Sequence, residues 1–250
     1  MPGALLKSAS MAHRPTASFA QRCGLVLLSV TAMLVVTYLV LRPLAVGKVV
    51  PSPIYQYLDL NGEQNLVAWW NAGLLLMVAV LSVLAAVAAV SERERLGFAV
   101  IGLGGAYLSI DEFTMLHERY DEILGIEVDI GTYGWVVPGL VVAVVGVCLL
   151  VAVGRGLPRS LQRSLLLALS LYLLGALVVE AFSGFLSIGN PDLQGWVKAL
   201  LVAAEEGLEM TACVLAVTAL LAHLEQRGVI RTGTGARRRA ASLTRVEPPA

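Results

Sequence analysis

The sequence contains few charged residues and few cysteines, and both shortages narrow what the chain can be. Charged side chains make up 14% of its 250 residues, whereas a soluble domain carries about 25%. Its three cysteines, with no Cys-x-x-Cys spacing, cannot build a disulfide framework. It also lacks a P-loop, a dinucleotide-binding fingerprint and a serine nucleophile motif. The chain is therefore not a soluble globular domain, a disordered chain or a nucleic-acid binder.

The sequence is instead rich in apolar residues, which make up 57% of the chain. Six apolar runs approach or exceed the roughly 20 residues that a helix needs to cross a bilayer. All are too long for strands, and a backbone in lipid must satisfy its own hydrogen bonds. The predicted fold is an all-α, polytopic bundle of six transmembrane helices. The expected spans are Gly24–Val46, Leu66–Val90, Gly97–Tyr120, Tyr133–Gly154, Leu161–Ile188 and Leu193–Leu224.

Basic residues are distributed unevenly among the predicted loops. Most of the 18 lysines and arginines fall in the two tails and in the loops after the second and fourth spans, whereas most acids fall elsewhere. The positive-inside rule then predicts a multi-pass protein of the cell (inner) membrane with both termini in the cytoplasm. The predicted organisation is a cytoplasmic tail over 1–23, a transmembrane domain over 24–224 and a basic, disordered cytoplasmic tail over 225–250.

Carboxylates inside the predicted spans give the strongest indication of function. An unpaired charge at the centre of a membrane helix costs at least about 2.5–3.5 kcal/mol, so these side chains should face the bundle interior. No lysine or arginine lies deep in any span, so the acids should bind protons or a cation. The predicted cation- or proton-binding residues are Asp111, Glu112, His117, Glu118, Glu180, Glu205, Glu206 and Glu209.

The length of the third span decides whether its acids lie in the membrane. Its uninterrupted apolar part, Phe98–Ile110, would cover about 20 Å, whereas a bilayer core is about 30 Å thick. We therefore expect the helix to continue through Glu118. The alternative is a helix that ends at Ile110, with 111–129 as a solvated outer segment.

The types of ligand limit the choice of cation. The chain has no Glu-x-x-His motif, which di-iron helix bundles use, and only His117 lies near the acids. Oxygen ligands suit protons, Ca²⁺, Mn²⁺ or Mg²⁺, and one histidine among carboxylates could also hold Zn²⁺ or Fe²⁺. The sequence leaves the cofactor open between none, with protons alone at the site, and a divalent metal ion. Its candidate ligands are Asp111, His117, Glu118, Glu180, Glu205 and Glu209.

The acid motifs also carry a resemblance. S-I-D-E-x4-H-E begins at Ser109, V-V-E ends at Glu180, and E-E-x-x-E-M begins at Glu205. Together they resemble an uncharacterised group of bacterial six-span membrane proteins, and the resemblance implies the six-span layout without an activity. The two halves of the bundle would have opposite orientations, and the third helix of each carries a tandem acid pair. This pattern would fit a 3+3 inverted repeat, as in many transporters.

Three functions remain open. The leading hypothesis is a small transporter or permeation protein whose carboxylate and histidine cluster opens outward and binds a cation or protons. The second is a membrane-embedded, metal-dependent enzyme that acts on a lipid-like substrate. The third is a structural or accessory subunit. The expected partners are the lipid bilayer and an ion or small molecule, and small residues such as Gly104 and Gly105 permit contact with a second copy or a membrane partner.

Overall fold

The computed structural model describes residues 17–120, 123, 125, 133–189 and 195–230, which contain seven helices. Six of them are long and apolar enough to cross a bilayer, so the prediction of a six-span helical bundle is confirmed. The 3+3 inverted repeat stays a prediction. The helices are α1 Phe19–Val46, α2 Ser52–Leu58, α3 Leu66–Val87, α4 Glu92–Thr114, α5 Val136–Gly154, α6 Arg159–Ile188 and α7 Trp196–Gln226.

Side-chain caps set the starts of α1 and α4, and both helices begin earlier than hydropathy predicts. Ser18 and Gln21 form a reciprocal capping box, in which each side chain accepts the backbone N–H of the other residue. Ser91 Oγ accepts the N–H of Glu94 at 3.2 Å. Such caps satisfy N–H groups that have no partner inside the helix. Of the predicted tails, 1–16 and 231–250 lie outside the described residues.

The last helix, α7, occupies the centre of the bundle. It contacts α1, α3 and α6, and most of its apolar stretch is buried. α4 packs against α3 and α5, whereas the apolar stretch of α5 has no buried residue. The acids of α7 are therefore carried by the helix that is best shielded from lipid.

Glycine allows α3 and α4 to pack closely. A Cβ atom on Gly105 would lie 3.1 Å from the amide nitrogen of Ala79 and 3.2 Å from the carbonyl oxygen of Leu75. Both atoms belong to the backbone of α3, so neither can move without the helix. A Cβ atom on the adjacent Gly104 would meet nothing within 4 Å. Of these two adjacent glycines, Gly105 is therefore the one that takes part in the close approach of the helices.

A buried charged cluster joins the start of α4 to the end of α7. Glu94 is 4% exposed, and its Oε1 accepts a hydrogen bond from Nη2 of Arg227. Its Oε2 accepts the N–H of Val90 at 3.2 Å, and His223 Nε2 lies 3.8 Å from Oε1. We call the end of the bundle that holds this cluster the basic end, and the opposite end the acidic end.

The first and last helices meet at the basic end. The two carboxylate oxygens of Glu225 accept the N–H groups of Phe19 at 3.2 Å and Ala20 at 3.1 Å. These donors are among those that the first turn of a helix leaves unpaired, and a negative charge is favourable there. The start of α1 and the end of α7 thus lie together, as an even number of membrane crossings requires.

α6 is interrupted by a π-helical segment, Leu174–Val179. π turns are rare inside α-helices and are frequent at functional sites. The segment lies against α7, because a Cβ atom on Gly175 would be only 2.8 Å from the carbonyl oxygen of Glu205. Glu180 follows the segment directly, so the π turn sets the direction in which this carboxylate leaves α6.

Candidate functional site

A cavity of about 400 Å³ lies at the acidic end of the bundle. It is enclosed by the loop before α3, the end of α4 with the turn that follows, the residues before α5, and parts of α6 and α7. We call it the acid cavity, because seven glutamates line it. Its charged and aromatic lining residues are Glu63, Glu112, His117, Glu118, Tyr133, Trp135, Glu180, Glu205, Glu206 and Glu209.

The acid cavity brings together side chains that the sequence analysis selected from three separate spans. Every predicted site residue lines it except Asp111. Asp111 lines a narrow adjoining cavity of about 100 Å³, to which His117, Glu112, Glu180 and Glu209 also contribute. The structure thus places the predicted residues around two adjacent cavities that share part of their lining. Their role as cation or proton ligands stays a prediction.

The end of α4 differs from both expectations. The helix stops at Thr114, so the prediction that it continues through Glu118 is wrong, and so is the alternative end at Ile110. The cause is Met115, which takes a left-handed conformation with φ of 57° and donates its N–H to the carbonyl oxygen of Asp111. A left-handed residue closes a helix by pairing one of its last carbonyl groups.

The turn at Met115 creates a contact that a continuous helix would not allow. The chain folds back, and Nδ1 of His117 comes within 3.0 Å of Oδ2 of Asp111. Asp111 is 8% exposed, so it is not part of a solvated segment. Its Oδ1 is buried and has no hydrogen-bond partner in the described part of the chain. Asp111 and Glu112 therefore belong to the span, and the pair with His117 bridges the span and the turn.

Exposure differs among the carboxylates of the acid cavity and is lowest for those that lie deepest. Glu63 and Glu118 are exposed, and Glu112 and Glu205 are half-buried. Glu209 lies about 6 Å further along α7 than Glu205, and it is 7% exposed. The cavity therefore has a solvated rim and a buried carboxylate at its base.

Neighbouring helices hold two of the half-buried carboxylates. Nδ2 of Asn71, on α3, donates to Oε1 of Glu112 at 3.0 Å. Nε1 of Trp135 donates to Oε1 of Glu180 at 3.1 Å. Glu209, in contrast, is 7% exposed and lines both cavities, and none of the hydrogen bonds or ion pairs of the described acids includes it. Burial of a carboxylate without a partner is costly, so Glu209 marks the position where a proton or a bound cation would be most stabilising.

The described lining of the acid cavity includes no lysine or arginine. Arg42, near the end of α1, donates instead to the hydroxyl oxygens of Tyr38 at 3.2 Å and Tyr55 at 3.4 Å. Neither Arg119 nor Lys198 forms an ion pair with a described carboxylate. The acids of the cavity therefore face one another without a neighbouring base that would neutralise them, apart from His117.

Three of the charged and aromatic lining residues were not selected from the sequence. Glu63 lies in the loop between α2 and α3, where an acid is normally solvated, and Tyr133 and Trp135 precede α5. Aromatic residues at the ends of spans are typical interfacial anchors, so the sequence carried no separate signal for them. The fold shows that the Trp135 ring also contacts His117, with ring centroids 4.8 Å apart at 65°.

The surroundings of His117 favour its charged form. Burial lowers the pKa of His117, but the hydrogen bond to Asp111 and the charges of Asp111, Glu180 and Glu112 raise it more, to about 9. At neutral pH His117 therefore carries a proton and forms an ion pair with Asp111. His117 is the only basic side chain in the described lining of the acid cavity.

We expect the stability of the fold to decrease at alkaline pH because of His117. Folding raises its pKa from 6.5 to about 9, so the ion pair stabilises the fold fully below about pH 6.5 and is lost as the pH rises through about 9. The melting temperature of the purified protein should fall over this range, and His117→Gln should remove most of that fall. Parallel pH profiles for the two proteins would contradict the assignment.

The geometry of the described acids is not that of a preformed metal centre. Among the residues that the structure describes, no group of three or more histidine, cysteine, aspartate or glutamate side chains is placed to hold a metal ion. The side chains predicted as metal ligands surround a space much larger than one ion. A metal site made from them would require several side chains to move, and the metal-ligand set stays a prediction.

A family model described as a domain of unknown function (DUF8692) matches residues 27–224, which include the described part of every span except the first residues of α1 and the last residues of α7. No curated protein and no solved structure matches the chain. The match covers the whole acid cavity, so the cavity lies within the domain that defines the family.

Proposed function

The chain belongs to the family of the domain of unknown function DUF8692, and we propose that it is a small membrane transporter or permeation protein whose acid cavity binds a cation or protons. The single observation that supports this most strongly is the composition of the cavity. Seven glutamates line a space of about 400 Å³, and no lysine or arginine lines it in the described part of the chain.

Gathering carboxylates in one cavity has a cost in free energy. Charges of like sign in a partly buried cavity repel one another, and burial adds a desolvation penalty for each of them. A fold that retains such a cluster must offset this penalty with bound protons or a bound cation. The solvated rim at Glu63 and Glu118 and the buried, unpartnered Glu209 give a path along which a cation would exchange water for carboxylate oxygens.

The distribution of basic residues gives the proposed orientation. We place the basic end, with the starts of α1 and α4 and the end of α7, on the cytoplasmic side of the cell membrane. The acid cavity would then open to the exterior. In this orientation a membrane potential that is negative inside draws cations toward Glu209, at about 2.3 kcal/mol per charge for 100 mV across the full membrane.

The test is cation binding and flux with one carboxylate removed at the base of the cavity. We expect Glu209→Gln to weaken binding about 10- to 100-fold, because a hydrogen bond or contact to a charged group contributes about 1.5–3 kcal/mol. Purified protein in liposomes would be assayed for uptake of protons, Na⁺, Mg²⁺, Mn²⁺ and tetramethylammonium. The glutamine keeps the size of the side chain, so the fold should persist.

Glu92 provides a matched control at the other end of the bundle. It is exposed, and its only described ion pair is the surface pair with Arg95, so Glu92→Gln should leave binding and flux unchanged. Equal binding and flux by the wild type, Glu209→Gln and Glu92→Gln would reject the proposal. A loss with Glu92→Gln as large as that with Glu209→Gln would also reject it, because the effect would not depend on the cavity.

One observation favours a second candidate function, an enzyme that acts on a lipid-like substrate. The pair of Asp111 and His117, with 3.0 Å between Oδ2 and Nδ1, orients an imidazole toward a cavity, as general acid–base catalysis requires. If the enzyme depends on a metal, the metal would supply an activated water. Elemental analysis of active, purified protein tests this version, and activity without bound metal would reject it.

A further inference from the structure

A second large cavity lies next to the acid cavity and differs from it in chemistry. Its volume is about 440 Å³, and its lining is apolar, with residues from α3 to α7 such as Leu75, Leu103, Gly104 and Gly146. Leu103 of α4 and Gly146 of α5 are exposed. Both helices cross the membrane and face lipid at this level, so the cavity is a groove that opens sideways to the bilayer. We call it the lipid groove.

A smaller cavity, which we call the passage, shares lining residues with both the lipid groove and the acid cavity. The passage is the cavity of about 100 Å³ that Asp111 lines. It shares Tyr107 and Tyr172 with the lipid groove, and it shares Glu180 and Glu209 with the acid cavity. From lipid to solvent, the cavities are therefore an apolar groove, a small cavity with two tyrosines, and a cavity lined by glutamates.

We propose that the three cavities together bind one amphiphilic cation, a single alkyl chain that carries an ammonium headgroup. The headgroup lies among Glu112, Glu180 and Glu209, and the chain passes Tyr107 and Tyr172 into the lipid groove. This inference rests on the proposed cation site, and it adds the class of the ligand and its route of entry. A ligand of this class reaches the site from the outer leaflet, between α4 and α5.

The size and composition of the acid cavity favour an ammonium headgroup over a single metal ion. The described acids do not form a compact ligand set for a metal, whereas a bulky ammonium group can contact carboxylates that lie around a wide space. Tyr107, Tyr172 and Trp135 line the passage, and aromatic faces attract ammonium groups. The unpartnered oxygen of Asp111 and the unpartnered, buried Glu209 line the same passage.

The alkyl chain is proposed because the lipid groove lies beside the acids. Another apolar groove that faces lipid is lined by Gly73, Val80 and Cys23 among others, and its described lining includes Arg22 but no acid. An acyl chain of an ordinary lipid could occupy either groove. Of these two grooves, the lipid groove is the one that shares residues with an acid-lined cavity, and from Val100 to Leu108 it extends about 12 Å along α4.

Two glycines make the lipid groove testable without disturbing the packing of the helices. A Cβ atom on Gly104 or on Gly146 would meet nothing within 4 Å, so leucine at either position fills the groove. Gly73 is the matched control, because it has the same free space and lines the other apolar groove. The test measures binding of radiolabelled dodecyltrimethylammonium and of tetramethylammonium to the full chain in phosphatidylcholine nanodiscs, with empty nanodiscs subtracted.

We expect Gly104→Leu and Gly146→Leu to weaken binding of dodecyltrimethylammonium about tenfold, which corresponds to about 1.4 kcal/mol. Both variants should bind tetramethylammonium as the wild type does. Gly73→Leu should bind both probes normally, and Glu209→Gln should weaken binding of both. Elution of every variant as wild type in size-exclusion chromatography establishes that the effects are local.

The results that would overturn the inference differ from those that would reject the cation site itself. If tetramethylammonium binds but neither glycine variant weakens binding of the long-chain probe, the lipid groove holds no alkyl chain and the cation site remains. If neither ammonium probe binds to the wild type above empty nanodiscs, the inference is wrong, whereas the proposed cation site is decided separately by the flux assays with protons, Na⁺, Mg²⁺ and Mn²⁺. If dodecanol competes as well as the charged probe and Glu209→Gln has no effect, the groove binds an uncharged chain and the inference is wrong.

Discussion

Replacing Gly105 with leucine is expected to prevent the bundle from forming, whereas the same change at Gly104 is expected to leave it folded. At Gly105 the first added atom would already lie 3.1 Å and 3.2 Å from backbone atoms of α3. Overpacking of a core typically costs about 1–3 kcal/mol of stability. Backbone atoms cannot rotate away from a clash, so we expect the loss of stability here to be at or above the upper end of that range. The two helices would have to separate along much of their length.

The neighbouring glycine is a nearly ideal control for this effect. Gly104 lies on the same helix, and an added side chain there has free space, with about 1 kcal/mol gained from helix propensity. Yield after extraction, elution volume and resistance to unfolding by sodium dodecyl sulfate would be compared for both variants. A stable, monodisperse Gly105→Leu protein would contradict the packing described for α3 and α4.

The second large effect is expected at the basic end, from Glu94→Ala. This change leaves Arg227 without its carboxylate partner and the N–H of Val90 without its acceptor. Breaking a buried pair by removing one partner costs about 3–5 kcal/mol. Arg227 is one-third exposed and can turn toward water, so we expect a loss of about 2–3 kcal/mol in the free energy of unfolding.

Glu92 again supplies the comparison, two residues away on the same helix. Its side chain is 84% exposed and pairs with Arg95 on the surface, and exposed pairs contribute about 0–1 kcal/mol. Glu92→Ala should therefore unfold almost as the wild type does. Arg227→Ala combined with Glu94→Ala should lose less than the sum of the two single changes, because the partners share one interaction. Additive losses would show that the pair does not stabilise the fold.

The six spans could be predicted because bilayer thickness fixes the length of an apolar helix and few other structures satisfy its backbone. The meeting of Glu112, Glu180 and the acids of α7 around one cavity is the arrangement that the cost of lipid-exposed charge led us to expect. That cost depends only on the chemistry of the side chains and of the solvent around them. It does not depend on the detailed path of the chain.

The local geometry of the site could not be predicted, because it depends on tertiary contacts. A left-handed methionine is uncommon, and the residues around Met115 do not predict one. This residue nevertheless ends α4 and brings His117 to Asp111. The predicted spans likewise place Glu94 in the loop between the second and third helices. Hydropathy averaged over a window of residues cannot identify the partner that a buried acid finds elsewhere in the chain. Glu63 reaches the cavity only through the fold of its loop.

The position of α7 has a consequence for how the protein is made. The ribosome makes this helix after the other five spans, yet it is the one against which α1, α3 and α6 pack. The pair of α3 and α4 can pack as soon as both helices are inserted, but α1 stays without its main neighbour until α7 is made. A premature stop codon before α7 would therefore leave α1 inserted without its main partner, as a substrate for membrane quality-control proteases.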